Sequence, residues 1–122
     1  MREGSAGHGP EEPVSVVLST TGPTDLLSLS QGCTYSYQVH SILVVNDGAS
    51  ATQVSVYLTV DSTDRELFSR TIGAHETTTI GFDTPLKLVA KSTTRKIWAK
   101  ASAPNALTLT LIYSLVSQTA PY

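Results

Sequence analysis

Residues 53–61 read QVSVYLTVD, an unbroken alternation of apolar and polar positions. Successive side chains of an extended chain point to opposite faces, so this segment separates into two sides. One side is aliphatic and consists of Val54, Val56, Leu58 and Val60. The other side carries Ser55, Tyr57, Thr59 and Asp61. This period of two predicts a strand that covers a core with one face and meets water with the other.

Similar runs occupy the rest of the chain and are separated by turn signals such as Gly22-Pro23 and Asn46-Asp47-Gly48. The runs cover residues 14–18, 25–30, 34–46, 53–61, 66–72, 76–82, 85–90, 96–102 and 107–115. About eight or nine strands follow, with no helical stripe between them. Strands spaced by roughly 8–12 residues predict an all-β fold, a single antiparallel β-sandwich of about eight strands. Both a jelly roll and an immunoglobulin-like arrangement satisfy this pattern.

The run at residues 40–46, HSILVVN, is apolar on both faces and predicts a strand that is covered on both sides. The last run is predicted to turn Leu107, Leu109, Leu111, Tyr113 and Leu115 toward the core.

The chain has 122 residues and a mass of 13.0 kDa, the size of one domain. Its 15 serines and 17 threonines suit strands with a polar face better than helices. Residues 1–12, MREGSAGHGPEE, are predicted to form an extended arm, and residues 13–122 the sandwich domain. The arm lacks the apolar core of a secretory signal, and no apolar run is long enough to span a membrane.

The net charge of −2 is unevenly distributed. All ten acidic residues lie between Glu3 and Asp83, whereas residues 84–122 contain five cations and no acid. This asymmetry is consistent with ordinary surface solubility or with a charged edge that docks on a neighbour. Because the cations show no nucleic-acid motif, we expect no nucleic-acid partner.

Residue types that support catalysis or metal binding are present but are not arranged for it. His8, His40 and His75 lie too far apart to give a local metal-ligand spacing. Cys33 has no cationic neighbour in sequence that would activate its thiol. The acidic residues around 61–66 fit an exposed turn that forms ion pairs. We therefore expect no enzyme activity, no catalytic or metal site and no cofactor.

Two aromatic residues are predicted on outward faces, Tyr57 and Trp98. Side chains of this type anchor interfaces, stack on sugar rings or are covered by other parts of their own chain. With the outward cations they give a candidate interface set: Tyr57, Lys87, Lys96, Trp98 and Lys100.

The order of segments from His40 to Leu115 resembles that of small β-sandwich proteins of tailed-phage virions. The resemblance rests on SILVVNDGASATQ, VSVYLTV, the hairpin LFSRTIGAHETTTI, a P-L-x-L segment, KIWAKASAPNAL and the strand TLTLIY. It implies a head decoration (cement) protein or a neck or tail accessory protein, without enzyme activity or cofactor. It also implies several copies per particle, assembled in the cytoplasm of the bacterial host.

Three functions remain open from the sequence. The first is decoration of the head lattice, with the major capsid protein or other virion proteins as partners. In that reading the arm (residues 3–13) and the candidate interface set hold adjacent capsid subunits. The second is a neck or tail adaptor or fibre-attachment protein, and the third is a glycan-binding module that uses Tyr57 and Trp98. A homo-oligomer is expected for the virion roles.

Overall fold

The computed structural model describes residues 13–29, 35–89 and 95–117. The predicted arm, His8 and Cys33 lie outside these residues. Regular structure in the described part is β-strand, in eight elements. They are β1 (Val14–Val17), β2 (Thr24–Leu29), β3 (Tyr35–Asn46), β4 (Thr52–Val60), β5 (Thr63–Ile72), β6 (Thr77–Val89), β7 (Arg95–Ala101) and β8 (Leu107–Ser117). No helix in the described ranges has the length and apolarity needed to cross a membrane.

The strands form two four-stranded antiparallel sheets, and the all-β sandwich prediction is confirmed. The first sheet has the order β1-β8-β3-β6 and the second the order β2-β7-β4-β5. Strand pairs β1/β8, β2/β7, β3/β6 and β4/β5 run as one long hairpin whose tip is the β4–β5 turn. Successive pairs of this hairpin alternate between the two sheets. That is the topology of a jelly roll, which decides between the two arrangements left open by the sequence.

Alternating side chains from both sheets fill the space between them. The buried residues include Val39, Ile42 and Val44 of β3, Val54 and Val56 of β4, and Leu107, Leu109 and Leu111 of β8, all at 0% exposure. Tyr113 packs against this cluster from the same side of β8. The predicted inward positions Val54, Val56, Leu107, Leu109 and Leu111 are therefore confirmed, and Leu58 also packs against the core. Val60 and Leu115, predicted to point inward as well, are not among the core residues.

Two predicted strand limits are wrong. The strand predicted at 66–72 already begins at Thr63, and the break predicted between residues 82 and 85 is absent. Residues 76–82 and 85–90 are expected to be separate strands, but both belong to β6. Val39 pairs with Leu86 and Ser41 with Gly81, so residues 82–85 lie opposite the single residue His40. The polar residues Asp83 and Thr84 and the following Pro85 mark a large bulge instead of a turn, because a bulge interrupts pairing without ending the strand.

The exposed edge strand β5 carries features that discourage pairing with other chains. Arg65 and Arg70 lie opposite Leu58 and Val54, on the side that faces inward in β4. A bulge in β5 at Leu67 interrupts the ladder between them. Inward-directed charges and bulges both make an edge a poor template for a further strand.

Asn46 closes the turn between β3 and β4 from a fully buried position. Its side-chain amide donates hydrogen bonds to the carbonyl oxygens of Ser50 and Ile72, both at 3.0 Å. Its Oδ1 accepts a hydrogen bond from the Gly48 amide at 2.8 Å. A Cβ on Gly48 would lie 3.1 Å from this Oδ1 and 3.3 Å from the Ala106 Cβ, so a side chain at this position would crowd both neighbours. Asn46 thus joins the end of the first sheet to the end of β5 in the second.

We predict that Asn46→Ala lowers the free energy of unfolding by about 2–3 kcal/mol, because buried hydrogen-bonding groups lose their partners. Asn46→Asp is expected to cost more, since a carboxylate would face two carbonyl oxygens. Urea unfolding measures both effects, with Asp47→Ala on the exposed side of the same turn as control. Equal midpoints for Asn46→Ala and Asp47→Ala would show that the amide contributes nothing.

Candidate interaction surface on the second sheet

Four residues of the predicted interface set converge on the outer side of the second sheet. Pairing of β4 with β7 places Tyr57 opposite Trp98, Ser55 opposite Lys100 and Thr59 opposite Lys96. We call Tyr57, Lys96, Trp98 and Lys100 the aromatic–lysine face. The fifth residue, Lys87, lies on β6 of the first sheet, opposite Gln38. The predicted set is therefore divided between opposite sides of the sandwich.

Tyr57 and Trp98 form a stacked pair. Their ring centroids are 4.3 Å apart and their planes differ by 13°. Trp98 is only 9% exposed, although it lies on the outer side of its strand and is not part of the core between the sheets. The stacked Tyr57 ring and the Thr59 hydroxyl lie against it. The two rings therefore form a preassembled platform whose facing sides are engaged with each other.

A hydrogen-bonded chain fixes the tryptophan. The Trp98 indole Nε1 donates to the Thr59 Oγ1 at 2.8 Å, and the Thr59 hydroxyl donates to the Asp64 Oδ1 at 2.5 Å. A hydroxyl can accept one hydrogen bond and donate another, so Thr59 satisfies both partners. Asp64 lies opposite Thr59 on the neighbouring strand β5. These two hydrogen bonds therefore link side chains of the three strands β7, β4 and β5.

The two lysines of this face are in different situations. Lys96 Nζ lies 3.3 Å from the Asp25 carboxylate of β2, in a partly exposed ion pair. Lys100 Nζ lies 5.3 Å from the centroid of the Tyr57 ring and 5.8 Å from that of Trp98. Both distances are within the range of a cation–π interaction. Among the described residues no carboxylate pairs with Lys100, so its charge is available to a partner.

A shallow hollow of about 250 Å³ adjoins Lys100. Its lining combines polar and apolar surface and includes hydroxyl, carboxamide and ammonium groups, from Thr21, Gln53, Ser55, Lys100, Ala101 and Ser102. Part of this lining is already bonded internally, since Gln53 Nε2 donates to Ser69 Oγ at 2.8 Å. The ammonium and hydroxyl groups of the hollow can bind an acidic or hydroxyl-bearing group of a partner.

The acidic turn at the tip of the long hairpin is tight and solvated. Asp61 and Ser62 have φ values of 54° and 65°, the combination found in a two-residue type I′ hairpin turn. Asp61 pairs with Arg95 of β7 at 3.3 Å, a long-range partner that sequence spacing does not reveal. No group of three or more His, Cys, Asp or Glu side chains in the described ranges is placed to hold a metal ion.

Sequence reasoning did not identify Thr59 and Ser55 as members of this surface. Both lie at polar positions of the strand at 53–61, and that alternation already put them on the side of Tyr57. Their role depends on the neighbouring strand, because only the β4–β7 register shows that they flank the Tyr57–Trp98 pair.

No family model matches the chain, and no curated protein matches it. Its structure is similar to that of the nucleoplasmin-like N-terminal domain of Drosophila FKBP39, with a TM-score of 0.50 and 13% identity. That likeness covers 98% of this chain and 99% of the Drosophila domain. It concerns the β-sandwich fold.

Two further solved structures show weaker likeness. The first contains the CBM22-1 and GH10 modules of Clostridium thermocellum endo-1,4-beta-D-xylanase 10B, complexed with xylohexaose. It has a TM-score of 0.45 and 14% identity over 88% of this chain. The second is a chain from the structure of infectious bursal disease virus Gx strain. It has a TM-score of 0.39 and 12% identity over 93% of this chain. This chain spans 22% of the xylanase chain and 35% of the viral chain. At these identities neither likeness carries a function over to this chain.

We predict that Thr59→Val lowers the free energy of unfolding by about 1–3 kcal/mol, because the buried Trp98 N–H loses its acceptor. The matched control is Thr71→Val on the exposed β5, where no hydroxyl hydrogen bond to another described residue is present. The single tryptophan of the chain is the fluorescent probe for chemical unfolding. Equal stability of the two variants would contradict the assigned role of Thr59.

Proposed function

We propose that this protein is a non-enzymatic structural component of a tailed-phage virion. Its role in that particle is that of a decoration or cement protein, which binds the outside of the head and stabilises the lattice. The partners are the major capsid protein and further copies of the chain. Assembly takes place in the cytoplasm of the bacterial host, and no cofactor is involved.

The observation that carries this proposal is the convergence of Tyr57, Lys96, Trp98 and Lys100 on one face of the second sheet. The stacked rings and the Thr59 hydrogen bond hold this face in one arrangement before any partner arrives. A preorganised surface loses little conformational entropy on binding. Such a surface suits repeated docking on identical sites of a lattice.

Lys100 supplies the charge for this contact. It has no carboxylate partner in the described part of the chain, and it borders the polar hollow. An acidic side chain of the capsid protein that enters the hollow would meet the ammonium group together with nearby hydroxyls. Lys96 already shares its charge with Asp25 and contributes at the rim. Contacts that are modest individually add up when many copies bind one lattice.

The resemblance of residues 40–115 to small tailed-phage virion proteins also fits a neck or tail adaptor or a fibre-attachment protein. These roles differ from decoration in copy number and location. A ring of six or twelve copies in the purified protein would favour the neck or tail. Binding to heads that lack necks and tails favours decoration.

The hollow beside Lys100 also favours a second candidate, a glycan-binding module. Hydroxyl, carboxamide and ammonium groups line it, and these groups bind sugars as well as acidic peptides. Against this role, the facing sides of Tyr57 and Trp98 are engaged with each other. A glycan array probed with the purified protein separates the two ideas, since a decoration protein gives no hits.

We predict that Lys100→Glu weakens binding to purified phage heads lacking the protein about tenfold or more, because the reversed charge repels an acidic partner. Lys96→Glu is expected to have a smaller effect, since its charge is shared with Asp25. Co-sedimentation with heads over a concentration series gives the dissociation constants.

The control is Lys87→Glu, which makes the same charge change on the opposite side of the sandwich. We expect its affinity to stay within about twofold of the original. If Lys87→Glu weakens binding as much as Lys100→Glu, net charge and not this face determines binding. If none of the variants binds more weakly, the aromatic–lysine face is not the contact.

A further inference from the structure

Charge is divided between the two sheets. Strands β1, β8 and β3, which lie side by side in the first sheet, contain no Asp, Glu, Lys or Arg. In the second sheet, by contrast, β2, β5 and β7 all carry charged residues. The uncharged strands account for most of one outer surface of the sandwich.

That surface is built of three rungs that cross the first sheet. The pairing registers give Val17–Thr108–Val45–Thr77, then Ser15–Thr110–Leu43–Thr79, then Ile112–Ser41–Gly81. These residues alternate with core residues such as Ile42, Val44, Leu109 and Leu111, so they point away from the core. We call the three rungs the neutral face. The exposed Asp83 of the β6 bulge and Lys87 beyond it bound this face at one end.

The neutral face carries four large aliphatic side chains at positions where a strand that faces water usually has polar ones. Leu43, Val45 and Ile112 are half-buried on it, and Val17 is 53% exposed. The sequence of β3 predicts cover on both sides. The sandwich core covers Ile42 and Val44, whereas the outer side has no sheet packed on it in the described structure. Removing Val17 and the remaining accessible surface of the other three side chains from water against a partner is favourable.

We propose that the neutral face binds the neutral face of a second copy of this chain in a two-fold symmetric dimer. Across a two-fold axis the same patch meets itself, so any charge near the axis would repel its own copy. The absence of charge on all three rungs removes that repulsion. The centre of the patch lies between Leu43 and Thr110, where aliphatic and threonine methyl groups can pack.

The size of the face sets the strength of this contact. Two rungs across four strands and one across three cover roughly 350 Å² in projection, from a strand spacing of about 4.8 Å and a repeat of about 6.7 Å. Two such faces together amount to roughly 700 Å², which is below the lower end of stable specific interfaces, about 1,200 Å², and in the range of weak contacts. We therefore expect a dimer that dissociates on dilution into the micromolar range.

This inference does not depend on the proposed function. The neutral face and the aromatic–lysine face are on opposite sides of the sandwich, so a dimer leaves two copies of the latter exposed. A dimer would present two identical contacts, which fits bridging between capsid sites. The dimer is measured in solution without phage heads, so the two proposals fail separately.

The test is sedimentation equilibrium of the purified full chain over a range of concentrations. We expect the average mass to rise from that of one 13.0-kDa chain to that of two. Leu43→Lys and Leu43→Glu each place like charges against each other near the axis, and each variant is expected to remain monomeric. An equimolar mixture of the two is expected to recover the dimer, because the opposite charges now meet.

The matched control is Thr71→Lys, which adds the same charge on an exposed position of β5 in the second sheet. It should dimerise like the original chain. Urea unfolding of all variants shows whether each remains folded. A chain that stays monomeric at millimolar concentration overturns the proposal. It is equally overturned if Leu43→Lys is folded and dimerises, or if the mixture of Leu43 variants stays monomeric.

Discussion

The pairing of β3 with β8 is the contact on which the rest of the structure depends. Eleven register positions join these two strands, and together they form the centre of the first sheet. Paired residues of β3 and β8 are 61 to 82 positions apart in the sequence, so this pairing closes the long hairpin into a roll. Both strands lack charged residues, which allows them to occupy a central position. Each can then bury one face completely while its outer face stays neutral.

Irregularities in the strands adjust this pairing without ending it. β3 slips by one residue at His40, where β6 inserts residues 82–85. His40 contacts Ser114 of β8 through its Nε2, 2.5 Å from the serine Oγ. The slip changes the inward positions of β3 from Ile42 and Val44 to Val39 and Tyr37, which pair with Leu86 and Leu88 of β6. The second sheet uses a bulge in β5 for a different purpose, at an exposed edge.

The two outer surfaces have different physical characters that follow from the strands below them. The aromatic–lysine face combines stacked rings, cations and a polar hollow, and internal hydrogen bonds hold it in place. The neutral face consists of aliphatic, threonine and serine side chains and one glycine, and it has no charge to orient a partner. A surface with charges selects partners by electrostatic complementarity, whereas a neutral one selects them by shape and apolar area. A sandwich with both is suited to two different contacts at once.

The amino-acid sequence by itself determined the fold class, most strand positions and the direction in which their side chains point. These properties follow from local alternation and turn chemistry, as at 53–61 and at Asn46-Asp47-Gly48. It also placed Tyr57 and Trp98 outward, but it did not separate Lys87 from them. Only the tertiary structure decided the jelly-roll order, the burial of Trp98 and the pairing of Asp61 with Arg95. The reason is that strand register and sheet membership depend on partners far away in the chain, which local alternation does not encode.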